Sequence, residues 1–294
     1  MTALQKRYGI VVGVDGSPAS SAAVVWAARD AAVKNVSLHL VHMFNTFVPT
    51  FPQVPMPSGV ARWQSDAGQQ ALEQAAKLAR EALPAGQELE ITTELRPEPP
   101  APTLIEISED AQMIVVGSNG NDVMSRILLG SVSSAVVRGA KCPVGVIHAE
   151  TSSRPSDRAP VLVGIDGSPA SELATAVAFE EAARRDVQLV ALHAWSDFEF
   201  FEIPGYEWSA VRAEAERSLS ECLAGWHDSY PDVPVRQLVV ADRPARQLIK
   251  QSESAQLVVV GSHGRGCLTG AMLGSVSNAV VHSIRTPVIV ARPA

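Results

Sequence analysis

The chain has 294 residues, of which 46% are hydrophobic and 19% are charged, and its formal net charge is −7. This composition is typical of a globular protein, and a length of roughly 150 residues per domain predicts two domains. No apolar run approaches the ~18–20 residues that span a bilayer, and neither half carries a basic stripe, so the sequence indicates neither a membrane protein nor a nucleic-acid-binding one.

The cysteines and the first residues of the chain indicate its compartment. Cys142, Cys222 and Cys267 are odd in number and far apart, which excludes a disulfide framework and a cysteine-based zinc site. The segment 1–7 leads directly into a strand-like run and lacks a signal-peptide core. We therefore expect a cytoplasmic protein.

The first half of the chain alternates strand-like and helix-like segments. Its opening apolar run is β-branched, as in a strand that is buried on both faces, and Ser17-Pro18 is typical of an N-cap followed by proline at the first helical position. The alternation predicts an α/β fold with a mainly parallel, open, Rossmann-like sheet. In chain order, we predict strands over 9–14, 36–42, 89–95, 113–117 and 143–148, and helices over 18–34, 62–83, 102–111 and 130–138.

A domain-sized sequence occurs twice in the chain. The segment VVGVDGSPAS at 11–20 recurs as LVGIDGSPAS 151 residues later, whereas the segments at 114–120 and 129–133 recur 144 residues later. The smaller second offset predicts a longer middle loop in the first copy, and the proline-rich segment Phe47–Pro57 is the candidate. Two tandem copies of one domain follow, rather than a solenoid of short repeats.

A polar segment separates the two copies. Residues 149–160 are rich in proline and serine and lie between the last strand of one copy and the first strand of the next. We therefore predict domains over 1–148 and 161–294, joined by this linker.

Each copy carries the pattern G-x2-G-x9-G-S after its fourth predicted strand. Glycines allow tight turns and close approach of a ligand, and a helix that starts at the third glycine directs free N–H groups and a positive dipole end into the same space. In parallel sheets this edge, which also carries Asp15 and Asp166, is the ligand-binding edge. The residues that form this predicted phosphate site are Gly117, Gly120, Gly130, Ser131 and Ser133 in the first copy, and Gly261, Gly264, Gly274, Ser275 and Ser277 in the second.

A purely structural explanation of these residues stays open. A glycine after a strand is often only a turn, Gly-Ser before a helix is often only a cap, and Asp-Gly-Ser-Pro is itself a good turn sequence. The combination favours a ligand site, because two glycines, a spaced helix start and an acid at a neighbouring strand end converge on one cleft.

On this pattern the chain resembles a tandem universal stress protein over nearly its whole length. The ATP-binding branch of that family carries G-x2-G-x9-G-[S/T], which both copies match in full. The resemblance implies two adenine nucleotide alpha hydrolase-like domains that bind ATP together with Mg²⁺. AMP, ADP and cyclic nucleotides share enough chemistry with ATP to stay open as ligands.

The resemblance also implies a role for each site residue. Asp15 and Asp166 contact the nucleoside sugar, and the main chain at Val41 and Leu192 borders the adenine. The residues that frame the nucleoside are Gly13, Val14, Gly164 and Ile165. The phosphate loops contain Gly117, Gly120, Gly261 and Gly264. The terminal phosphates are held at Ser131, Val132 and Ser133 and at Ser275, Val276 and Ser277.

The two copies differ beside the phosphates. The second copy continues as Gly264-Arg265-Gly266, which adds a cation, whereas the first continues as Gly120-Asn121-Asp122. The acid Asp122 either weakens triphosphate binding or holds a bridging Mg²⁺. Three histidines lie near the site: His42 and His193 are predicted to be ordinary strand-end residues, and His263 is better placed to act as a phosphate donor.

Several catalytic signatures are missing from the sequence. It contains no G-x4-G-K-[S/T], G-x-G-x-x-G after a strand, G-x-S-x-G, H-E-x-x-H or C-x-x-C. We therefore expect a cytoplasmic ATP-binding regulator of stress response or growth, with an unidentified protein partner. A slow ATP hydrolase or phosphotransferase and a nucleotide-independent interaction protein are the alternatives. The last strands, 143–148 and 287–291, resemble dimerising edges of the family. They could pair within the chain or with a second chain, and we expect a homodimer.

Overall fold

The computed structural model describes residues 6–45, 60–119, 129–149, 156–194, 208–264 and 273–293. It divides into two compact units, residues 1–149 and 150–294. Each unit contains, within the described residues, five strands and four helices that alternate along the chain. None of the described helices is both long and apolar enough to cross a membrane.

The first unit follows the predicted order of elements. Its strands are β1 (Tyr8–Val14), β2 (Leu38–Met43), β3 (Ile91–Arg96), β4 (Ala111–Gly117) and β5 (Val144–Ile147), and its helices are α1 (Pro18–Lys34), α2 (Val60–Glu81), α3 (Pro100–Ile107) and α4 (Ser131–Gly139).

The sheet of the first unit has the strand order β3-β2-β1-β4-β5, and every pair within it is parallel. Helices α1 and α2 pack together on one face, and α3 and α4 pack together on the other. The order reverses between β1 and β4, so the crossovers diverge there and leave a crevice outside the carboxyl ends of these two strands.

The second unit repeats this arrangement. Its strands are β6 (Val161–Gly164), β7 (Leu189–Ala194), β8 (Val235–Val240), β9 (Leu257–Gly261) and β10 (Val288–Ala291), and its helices are α5 (Pro169–Arg185), α6 (Trp208–Ser229), α7 (Pro244–Ser252) and α8 (Ser275–Ser283). The strands lie in the order β10-β9-β6-β7-β8, again all parallel. The predicted α/β, mainly parallel fold class is confirmed in both units.

The first helix of each unit begins and ends as its sequence directs. The side chains of Ser17 and Ser168 cap α1 and α5 by accepting from the amides of the residues three positions later, and a proline follows each cap. At the other end, Asn35 and Asp186 adopt left-handed backbone with φ of 53° and 52°. These polar residues are among those that tolerate this conformation, so both helices stop there.

The boundaries of several predicted elements are wrong by a few residues. The largest difference is at α3, which was predicted over 102–111 but ends at Ile107. There the Ser108 hydroxyl donates to the Ile105 carbonyl, and the Tyr8 amide donates to the Asp110 carbonyl. The chain thus turns after α3 and is already paired to β1 when β4 begins at Ala111.

Candidate functional site

An aspartate turn stands at the end of the first strand of each unit. Asp15 and Asp166 each accept, through Oδ1, the amide of the serine two residues later, at 2.9 Å in both units. The intervening residues, Gly16 and Gly167, have φ of +78° and +77°, which favours glycine. The Asp-Gly-Ser-Pro sequence is therefore a turn that starts α1 and α5, and it places both carboxylates at the crevice.

The first glycine of each pattern brings a strand end against a helix. A Cβ atom on Gly117 would lie 2.7 Å from the carbonyl carbon of Ala19, and one on Gly261 would lie 2.7 Å from that of Ala170. These backbone atoms have no room to give way, so only glycine fits at the ends of β4 and β9. The strand ends are consequently packed onto the first turns of α1 and α5.

The third glycine closes the loop in both units. The Gly130 amide donates to the Ser118 carbonyl at 2.7 Å, and the Gly274 amide donates to the Ser262 carbonyl at 2.8 Å. The starts of α4 and α8 are thereby held beside the ends of β4 and β9. Gly120 and Arg265 lie outside the described residues, as do Asn121, Asp122 and Cys267.

The second unit shows how the glycine loop meets the aspartate. A Cβ atom on Gly264 would lie 2.6 Å from Oδ2 of Asp166, and a Cβ atom on Gly274 would lie 3.0 Å from Cα of His263. One oxygen of Asp166 thus holds its own turn while the other faces the backbone of the loop. The structure brings Asp166, Gly261, Gly264 and Gly274 together at one edge of the sheet.

The N-termini of α4 and α8 supply backbone donors at this edge. Gly130 and Gly274 are the N-caps, and neither helix has a side-chain cap among the described residues. The first intrahelical bonds are those from the amides of Ser134 and Asn278, at 2.8 Å. The preceding amides of each helix therefore have no acceptor within the helix, and they lie at the positive end of its dipole. These amides belong to Ser131, Val132 and Ser133 in α4 and to Ser275, Val276 and Ser277 in α8.

Two serine hydroxyls in these first helical turns are engaged within the fold. Ser133 is buried and donates its hydroxyl to the Gly117 carbonyl at 2.6 Å, and Ser277 donates in the same way to the Gly261 carbonyl at 2.5 Å. Both hydroxyls stabilise the packing of a helix start on a strand end, which leaves the backbone amides of these residues for an anion. The exposed residues Ser131 and Ser275 keep their predicted place on the first turn.

The residues predicted to surround the nucleoside lie on the two neighbouring strands. Gly13 pairs in register with Val41, and Gly164 pairs with Leu192. Val41 and Leu192 are both buried, and each lies two residues before the end of its strand rather than at the end. Because the Leu192 carbonyl accepts the Ile165 amide at 2.9 Å, it is engaged within the sheet.

The histidines near the edge differ in their surroundings. His42 and His193 each place Nδ1 2.8 Å from a backbone oxygen at the end of the first strand, that of Val14 or Ile165, so both rings are held within the fold. His263, between the glycines of the second unit, is partly exposed and has Nδ1 3.0 Å from the Ser262 hydroxyl.

A polar network that the sequence reasoning missed lies on β2 and β3 of the first unit. Burial alone would raise the pKa of Glu94, but hydrogen bonds from Arg96 and His39, and the charges of these partners, outweigh it and hold that pKa below its usual value. His39 also stacks on Tyr8, with ring centroids 4.7 Å apart. The register of β2 and β3 pairs His39 with Thr92 and Val41 with Glu94. The sequence alone does not show which residues of two strands are neighbours, so this network could be found only after the strands were paired.

Comparisons with known proteins give the same family over nearly the whole chain. Residues 9–148 and 158–292 each match the model of the universal stress protein family. The universal stress protein Rv2005c of Mycobacterium tuberculosis is 58% identical over 293 residues, which are 99% of both chains. The universal stress protein Rv2623 of the same organism is 50% identical over the same span. The crystal structure of a universal stress protein from Archaeoglobus fulgidus shares the fold, with a TM-score of 0.71 at 21% identity, covering 99% of this chain and 100% of that chain.

Proposed function

We propose that this chain, which belongs to the universal stress protein family, binds ATP in both units and acts as a nucleotide-dependent regulator. The observation that carries the proposal is the meeting of an uncapped helix start, a glycine-lined strand end and an aspartate carboxylate at one crevice. Backbone amides at a helix N-terminus attract phosphate, and a carboxylate accepts hydrogen bonds from the hydroxyls of a ribose.

Distances in the second unit support these two roles, with the carboxylate for the sugar and the helix amides for the phosphates. Asp166 lies beside Gly264, whose missing side chain leaves the loop backbone open to a ligand, and Gly274 starts α8 against His263. A nucleotide whose sugar contacts Asp166 then extends its phosphates across the loop toward the amides of residues 275–277. In the first unit Asp15 and the amides of residues 131–133 occupy the same places on their elements.

Magnesium fits this site as an ion carried by the nucleotide. The described residues contain no group of three or more His, Cys, Asp or Glu side chains that would hold a metal by themselves. Mg²⁺ keeps several waters and prefers phosphate oxygens with one or two carboxylates. Phosphates would therefore supply most of its ligands, and Asp166 is a carboxylate that faces the loop.

The regulatory role rests on binding rather than turnover. We place the protein in the cytoplasm, as a homodimer whose nucleotide state is read by a protein partner. Light scattering on the purified chain measures the predicted dimer, and an ATPase assay with inorganic phosphate as readout measures hydrolysis. Turnover well above background would favour the enzymatic alternative over a regulator.

The test of the nucleotide proposal is competition among adenine nucleotides. A fluorescent ATP analogue is displaced from the full chain by ATP, ADP or AMP in the presence of Mg²⁺. Because the terminal phosphates reach the helix amides, ATP should displace it at the lowest concentration and AMP at the highest. Equal potency of all three would contradict the proposed phosphate contacts, and no binding of the analogue would contradict the proposal itself.

A further inference from the structure

The second unit contains a cavity of about 520 Å³ between α5 and α6. This volume falls within the roughly 300–1,000 Å³ that is typical of small-molecule sites. Of the described residues that are predicted to contact the nucleotide, Ile165 alone lines the cavity. The cavity is thus a separate space that begins beside the aspartate turn and runs along the two helices.

The cavity arises where α6 departs from its counterpart in the first unit. The two helices match on their buried positions, with Leu72 of α2 corresponding to Leu219 of α6. On this alignment the fully buried Ala75 and Ala79 of α2 correspond to Cys222 and Trp226, which are only partly buried. Small side chains allow α2 to pack closely on α1, whereas α6 packs less closely on α5.

An aromatic cluster holds the two helices of the second unit apart. Phe179 of α5, which replaces Ala28 of α1, is fully buried and stacks on Trp226 and Tyr230, with ring centroids 5.7 and 5.6 Å away. Three aromatic rings fill the lower part of the interface, so the space nearer the aspartate turn stays open. The cavity is therefore in part a consequence of these large side chains.

Glycine keeps one wall of the cavity open. Gly225 lies inside α6, where glycine costs about 1 kcal/mol relative to alanine. A Cβ atom there would meet nothing within 4 Å, so neither packing nor backbone conformation requires glycine. The corresponding residue of α2 is Leu78. Gly225 is exposed, so a side chain at this position would project into the open side of the cavity.

The lining determines which occupant fits. It contains the carboxylates of Glu172 and Glu221 and the indole of Trp226, and no basic side chain among the described residues. Carboxylates pair with cations, and an indole offers a large apolar surface for the body of a ligand. Small hydroxyl groups complete the wall, contributed by Ser168, Ser171, Thr175 and Ser229. We propose that the cavity binds a small organic ammonium ion with an apolar body, the charge at the two glutamates and the body at Trp226.

The test uses a matched pair of probes on the full chain. Phenethylammonium carries a charge and an aromatic body, and 2-phenylethanol has nearly the same shape without the charge. By isothermal titration calorimetry at pH 7, the ammonium ion should bind saturably at one site per chain, and the alcohol should bind about tenfold more weakly or not at all. No saturable heat up to roughly 10 mM, where affinities become negligible, would overturn the proposal, as would equal binding of the alcohol.

Two leucine variants locate the site. Gly225→Leu places a side chain in the cavity and also raises helix propensity, so the protein should stay folded by circular dichroism while binding of phenethylammonium is lost. Ala224→Leu is the control, because Ala224 is exposed on the same helix and does not line the cavity. Wild-type binding by Gly225→Leu would contradict the assignment. Gly264→Ala should bind phenethylammonium normally, which separates this proposal from the nucleotide site.

Discussion

The substitution Gly264→Ala is the sharpest perturbation of the proposed nucleotide site. The added methyl carbon would lie 2.6 Å from Oδ2 of Asp166, which is 0.8 Å short of the 3.4 Å where ordinary contact begins. The carboxylate must turn away, and it then loses its place beside the loop or its 2.9 Å bond to the Ser168 amide. Hydrogen bonds to charged groups contribute about 1.5–3 kcal/mol, so ATP affinity in the second unit should fall about 10- to 100-fold.

Isothermal titration calorimetry of Mg-ATP into the full chain measures this effect. The first unit is unchanged, so one of two sites should weaken while the other keeps its affinity. Gly225→Ala is the matched control, because it adds the same methyl group where nothing lies within 4 Å. Unchanged affinity at both sites in Gly264→Ala would refute the reasoning that Asp166 and the glycine loop bind one ligand.

Three further substitutions test the packing and the electrostatics. Ser168→Ala removes the cap of α5 and should lower the free energy of unfolding by about 1 kcal/mol in a urea titration, whereas no change would show that the cap is replaceable. Gly261→Ala places a methyl carbon 2.7 Å from the Ala170 backbone and should cost more, about 1–3 kcal/mol, in the same titration; a smaller loss than for Ser168→Ala would contradict the close approach. Because the pKa of Glu94 is lowered in the folded state, its contribution is present above its ordinary value of 4.5 and is lost as pH falls through the folded value. Wild-type stability should therefore fall more steeply below pH 4.5 than that of Glu94→Gln, and parallel curves would contradict this.

The sequence predicted the elements that depend on local chemistry. Ser17-Pro18 and Ser168-Pro169 mark helix starts because the serine side chain satisfies an amide and proline needs none. The start of α3 gave no such signal, since its N-cap is Pro99 and no side chain of the described residues caps it. Its end depends on Ser108 and on pairing with β1, and the register of that pairing becomes visible only in the fold.

Contacts between elements account for what the sequence could not predict at the candidate site. The spacing of the glycines predicted that a helix start and a strand end meet, and the structure places Gly130 and Gly274 accordingly. It did not predict that Ser133 and Ser277 use their hydroxyls on strand carbonyls 16 residues away along the chain. The sequence also did not predict that α5 and α6 are separated, because this depends on contact between Phe179 of one helix and Trp226 of the other.

The nucleotide content of freshly purified protein tests the central claim most directly. The full chain is denatured, and the released small molecules are identified by chromatography and quantified per chain. Two intact crevices predict ATP at up to two molecules per chain, with any empty site filled by added Mg-ATP in calorimetry. Absence of released nucleotide together with no uptake of Mg-ATP would contradict the account and leave an interaction protein that works without nucleotide.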